Sequence, residues 1–141
     1  MERIHKKRLL KLAIHLETGV LGHKEFAFNI LNAGPFDRVG CGTKGCAIGE
    51  CPVLFPEDWK FSPVGDRSPI LRSEESNDVF SIGCAAIFFG LSYQDTECLF
   101  VPGGLRFNAS FSHRPSLLKF DATKELVAAS IRKFVTEQGG L

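Results

Sequence analysis

The chain has 141 residues, with 17 Lys and Arg against 16 Asp and Glu, a net charge of +1. That length suits one folding unit over residues 1–141, and a unit this size buries about two thirds of its extended surface. A content of 44% hydrophobic and 23% charged residues excludes disorder, and the balanced charge speaks against a nucleic-acid partner held by phosphate contacts.

Sixteen residues, 3–18, place Leu9, Leu12, Ala13 and Leu16 at i, i+3, i+4 and i+7. Lys6, Lys7, Lys11 and Glu17 fall largely elsewhere, so an amphipathic helix is predicted, ended by Gly19. Its basic start could mark a membrane-surface helix, but the polar face also carries Glu17 and two His, which favours docking on the protein's own core. A secretory signal would follow its basic residues with an unbroken apolar stretch. Here Lys11, His15 and Glu17 interrupt it. No apolar run reaches the roughly 18 residues of a spanning helix. No membrane partner is expected, and the expected location is cytoplasmic.

Next, Phe26, Phe28 and Ile30 alternate with Ala27 and Asn29 as a short strand, and a turn follows at residues 32–35. In residues 40–52, Thr43 reads as an N-cap and Pro52 as a stop, leaving room for a short helix. Residues 62–78 are polar and rich in turn formers, and read as a surface loop. Residues 78–91 are strongly apolar after Ser76 and Asn77 and before Gly90, which predicts a buried helix. Ser92 with Asp95 resembles a capping box that starts a further helix through Phe100. Leu105, Phe107, Ala109 and Phe111 alternate with polar residues as the clearest strand pattern in the chain. Last, Asp121 caps a helix whose Val127, Ile131, Phe134 and Val135 share a face, ended by Gly139 and Gly140. The fold expected is mostly α with a small β element, α+β: a single compact domain of about four to five helices and one short hairpin or strand pair. The 13 Phe beside one Trp and one Tyr suit a core better than a base-stacking platform.

An odd count of five cysteines cannot pair completely within one chain, which favours a reducing compartment and thiols. Cys41, Cys46 and Cys51 lie among Gly40, Gly42, Gly45 and Gly49. One reading is close helix packing: Gly42, Gly45, Cys46 and Gly49 would share a face and meet Gly83, Ala86 and Gly90 of the next helix. A second reading is a nucleophile. With Thr43 as N-cap, Cys46 would sit in the first helical turn, where orphan N–H groups and the helix dipole favour a thiolate. Its base would be His113, just after the clear strand, with Asn108 or Asp95 to orient it. His15 and His23 are less suitable because neither follows a strand. The arrangement loosely resembles papain-like hydrolases, without their Cys-Gly-Ser-Cys-Trp segment. A metal site is a third reading. The spacing of four residues between successive cysteines is loose for zinc, and Cys46 and Cys51 would diverge by about 140° around a helix. No metal and no cofactor are expected. Gly40, Lys44 and Gly45 lack the ending of a phosphate-binding P-loop.

Cys41, Gly42 and Thr43 with Cys46 and Gly49, followed by Phe88 through Ser92 and by Leu99 with Phe100, resemble a group of small bacterial and phage-encoded proteins. Those uncharacterised proteins share a CGT-x-x-C-x-x-G segment and a later FGLS…LF helix pair. They often carry an aromatic residue or His after the second glycine, where this chain has Glu50. The resemblance implies a small, mostly helical intracellular domain and no particular substrate. The function expected is a non-catalytic binding or regulatory module for an unidentified protein or small molecule, with Cys41, Gly42, Thr43, Gly45 and Gly49 as candidate binding residues. The alternative is a cysteine-dependent hydrolase or transferase using Cys46 with His113.

Overall fold

A computed structural model of the chain describes residues 1–19, 21, 25–26, 44–45, 47–62, 69–74, 81–100 and 123–141. Helix α1 spans Arg3–Thr18 and buries Leu9, Leu12, Ala13 and Leu16, the stripe that the heptad-like spacing picks out. Helix α5, Lys124–Glu137, buries Val127, Ala128, Ile131, Phe134 and Val135, and the two helices pack along one another. Their ends are clamped reciprocally. Lys6 Nζ near the start of α1 donates to the Gly140 carbonyl past the end of α5, and Lys124 Nζ at the start of α5 donates to the Leu16 carbonyl, each at 2.8 Å. The pair is therefore antiparallel. Each ammonium meets carbonyls at a helix C-terminus, which lack partners within their own helix and carry the negative end of its dipole.

Two short stretches follow α1 in the chain: β1, Glu25–Phe26, and β2, Lys44–Gly45, which pair in parallel. A 3₁₀ turn over Ile48–Glu50 then runs into a single turn of α-helix, α2, Cys51–Leu54. This corrects the helix expected from Thr43. Lys44 and Gly45 are extended, since a segment this rich in glycine gains little from helix and its backbone groups find partners in β1. Pro52 also has the opposite role to the one expected. It sits in the first turn of α2, where a fixed φ and a missing N–H cost nothing, so it opens a helix rather than stopping one.

The antiparallel pair β3, Trp59–Phe61, and β4, Pro69–Leu71, aligns Trp59 with Leu71 and Phe61 with Pro69. A 3₁₀ turn over Arg72–Glu74 follows. The stretch expected to be loop thus contains a strand: β4 buries Pro69 and Leu71. Helix α3, Ser81–Phe89, is largely buried as expected, although Ile87 is 53% exposed. Gly90 ends α3 at φ 63°, and the Leu91 N–H reaches back to the Ala86 carbonyl at 2.9 Å, a left-handed cap that glycine adopts without strain. Helix α4, Tyr93–Phe100, begins with Ser92 Oγ accepting from the Asp95 N–H at 3.1 Å, one half of the expected box. For α5 the cap is Thr123 and not Asp121: extended at ψ 163°, Thr123 accepts from the Leu126 N–H. The alternating segment at 105–111, the strand positions 27–30 and the turn at 32–35 lie outside the described residues.

Among the described residues, then, five α-helices and one antiparallel strand pair make an α+β fold. Its core joins the α1–α5 stripe to an aromatic group. Phe88 meets Phe55, Trp59 and Phe89 edge to face at centroid distances of 4.9, 5.6 and 5.1 Å. Phe89 stacks on Phe100 at 5.9 Å. The edge-to-face contacts set positive ring edges on negative faces and join the end of α2 to β3 and α3, and the Phe89–Phe100 stack adds α4. No helix among the described residues is long and apolar enough to cross a membrane.

Candidate functional site

Among the described residues, two places gather polar groups inside this frame. The first stands at the foot of the glycine–cysteine segment. His15, in the last turn of α1, places Nε2 at 2.8 Å from Glu50 Oε1 in the 3₁₀ turn. The side chains are 10% and 1% exposed. Burying a carboxylate is costly unless charge and hydrogen bonds compensate it, so this pair fixes α1 against the turn. A carboxylate only accepts, so Nε2 donates to Glu50 and Nδ1 faces Gly19. Gly19 has an ordinary φ of −80°, so its constraint is space: a Cβ there would lie 2.6 Å from His15 Nδ1 and 2.8 Å from the His15 carbonyl.

Of the residues singled out in the sequence, Gly45 lies on β2 and Gly49 is buried in the 3₁₀ turn beside Glu50. Cys41, Gly42, Thr43, Cys46, Asn108 and His113 lie outside the described residues. Because 44–45 are extended, the helical first turn proposed for Cys46 is not formed there. Gly45 lies on a strand and Gly49 in the 3₁₀ turn, so these two do not share one helix face, although α3 does pack on the 3₁₀ turn. The described cysteines, Cys51, Cys84 and Cys98, are thiols. Cys51 Sγ donates to the Ala47 carbonyl at 3.8 Å, and Cys84 Sγ accepts the Leu71 N–H at 3.5 Å. Both act as small buried groups that also satisfy backbone. Among the described residues no three His, Cys, Asp or Glu side chains gather in a metal-binding group.

The second place is a cleft of about 350 Å³ between α1, α3, the turn before β3 and the turn after β4. Arg8 reaches it from α1, and Arg72 from the turn after β4. Both guanidinium groups are held: Arg8 Nη1 donates to the Phe88 carbonyl at 2.9 Å, with Cζ 4.1 Å above the Phe88 ring. Arg72 Nε donates to the Pro56 carbonyl at 3.0 Å. Each keeps further N–H donors in a planar fork suited to an oxyanion. Glu57 and Asp58 line the same cleft, yet among the described residues neither carboxylate forms an ion pair with either arginine. Leu71 and Phe88 add an apolar lining. Such a mix of apolar wall and few polar groups, at the small end of ligand cavities of about 300–1,000 Å³, is what small-molecule sites present.

Sequence position ranks His15 low, since it follows no strand, and marks Glu50 only as a departure from the resembling proteins. No local pattern links residues 35 positions apart. The cleft, drawn from four segments, has no sequence signature at all. No protein family, curated protein or solved structure matches the chain.

Proposed function

We propose that this chain is a non-catalytic binding module and that the Arg8–Arg72 cleft is the seat of its ligand. The observation that carries this is the state of the charges. Two guanidinium groups are oriented by backbone carbonyls, and two carboxylates share their cleft without neutralising them. Preorganised groups lose little conformational entropy when a ligand arrives, which is the condition for useful affinity in a small cavity. Cys51 and Cys84, packed and hydrogen-bonded in the core, support the reading of cysteine here as a packing residue. The thiol state of the described cysteines and the resemblance to small bacterial and phage-encoded proteins support a cytoplasmic setting.

A second reading is a cysteine-dependent hydrolase or transferase built on Cys46 and His113. In its favour, Glu50, four residues beyond Cys46 in the sequence, holds an imidazole with one nitrogen fixed as donor. Carboxylate-held imidazoles are the usual partners of thiol nucleophiles. Iodoacetamide labelling of each cysteine against pH separates the two. The binding module predicts that Cys46 reacts no faster at pH 6 than a cysteine in an unstructured peptide. A Cys46 that is alkylated faster there, and slows when His113 or His15 is replaced by Ala, would establish the enzyme reading instead.

A further inference from the structure

The cleft can be read one step further, to the class of its ligand, on the premise that it is the binding seat. Its charges come in two pairs of opposite sign that do not satisfy each other: Arg8 with Arg72, and Glu57 with Asp58. A simple anion such as phosphate would use the guanidinium forks but meet two carboxylates. A simple cation would meet the reverse. Like charges brought together across a contact are strongly unfavourable, so a ligand of one sign uses half the site and is opposed by the other half. A ligand carrying a carboxylate and an ammonium close together uses all of it. The carboxylate takes parallel N–H bonds from a guanidinium, and the ammonium donates to Glu57 or Asp58.

The lining adds a third requirement. Leu71 and Phe88 are buried and reach the cleft, and Ile87 presents its side chain half-exposed at the same cavity. An apolar group covering them leaves water, and removal of such surface from water favours binding. Carboxylate, ammonium and apolar side chain on one small frame define an apolar α-amino acid. A volume of about 350 Å³ holds one such molecule and a few waters, and not a folded partner. The geometry points to a free apolar α-amino acid, of the leucine type, as the ligand of this cleft.

Isothermal titration of the intact chain with L-leucine, leucinamide, N-acetyl-L-leucine and inorganic phosphate tests this. Leucine binds, and removal of either charge weakens binding about tenfold, the loss of one charge-assisted hydrogen bond. R72Q lowers leucine affinity by a similar factor; Arg72 is exposed, so thermal unfolding of the variant stays at the native temperature. E57Q and D58N made together abolish the preference for leucine over N-acetyl-L-leucine. Phosphate or N-acetyl-L-leucine binding more tightly than leucine, and still weakened by R72Q, overturns the amino-acid class while the cleft stands. If all four probes fail to bind, or bind R72Q as they bind the native chain, the cleft reading falls and the ligand class falls with it.

Discussion

Two carboxylates tie helix α1 to the rest of the molecule, and they do so under opposite conditions. Glu17, 31% exposed, takes two hydrogen bonds from Arg132 on α5 at 2.9 and 2.7 Å. Glu50, with 1% of its side chain exposed, meets His15 through one contact of 2.8 Å. By geometry the surface pair is the better one, a bidentate fork on a carboxylate. By consequence the order reverses. Water solvates Glu17 whether or not Arg132 is there, whereas Glu50 depends on what the protein supplies. Burial, and not the number of bonds, decides which of the two holds the fold.

The largest effect should follow from breaking the buried pair. His15→Ala leaves the Glu50 carboxylate in the core without the imidazole, and about 3 kcal/mol of unfolding free energy should be lost in urea denaturation. A double replacement, His15→Leu with Glu50→Leu, should recover much of that, because apolar groups of similar volume remove the desolvation demand as well. If the single variant unfolds at the native urea midpoint, the buried pair does not anchor α1.

Gly19→Ala should come next. Its Cβ has no room beside His15 Nδ1, so the ring must move off Glu50, at a cost of about 1–2 kcal/mol. The part of the cost that arises through the ring should vanish when Gly19→Ala is made in the His15→Ala background, while the 2.8 Å approach to the His15 carbonyl remains; a double-mutant cycle with no coupling would refute the ring path.

The surface pair should give the smallest effect, and a pH signature. The hydrogen bonds from Arg132 hold the Glu17 carboxyl below its ordinary value of 4.5; desolvation opposes them, and the Arg132 charge adds a smaller lowering. A carboxyl whose folded value is lowered stabilises above the ordinary value, and that contribution is lost as pH falls through the lowered one. Native protein and Glu17→Gln should therefore differ slightly at pH 7 and by less as pH falls below 4.5, with the difference at pH 7 also fading in 1 M salt. A difference that grows on acidification would reverse the sign and exclude the pair as its source.

How much of this was legible in the sequence depends on range. The stripe Leu9, Leu12, Ala13 and Leu16 and the stripe ending at Val135 are each written within one helix, and both were readable by periodicity alone. The Ser92 cap and the glycine ends at Gly19 and Gly90 are equally local. The β3–β4 pair was missed because three residues are too few to show alternation. Pro69 inside it reads as a breaker unless the edge position is known. Pro52 carried the same ambiguity, since proline marks the first turn of a helix as readily as its end. The candidate site was the least legible part. Arg8, Asp58 and Arg72 meet only because α1, α3, the turn before β3 and the turn after β4 border one cleft, and the partnership of His15 with Glu50 is a product of packing.

The central claim is that the Arg8–Arg72 cleft, and not the glycine–cysteine segment, receives the ligand. Backbone amide shifts in a ¹H–¹⁵N spectrum of the uniformly labelled chain, followed during titration with L-leucine, test it most directly. Saturable shifts should group at Arg8, Glu57, Asp58, Arg72 and Ser73, with Gly42, Gly45 and Cys46 unmoved. Shifts grouped at Cys41 through Cys46 and absent from the cleft would contradict it.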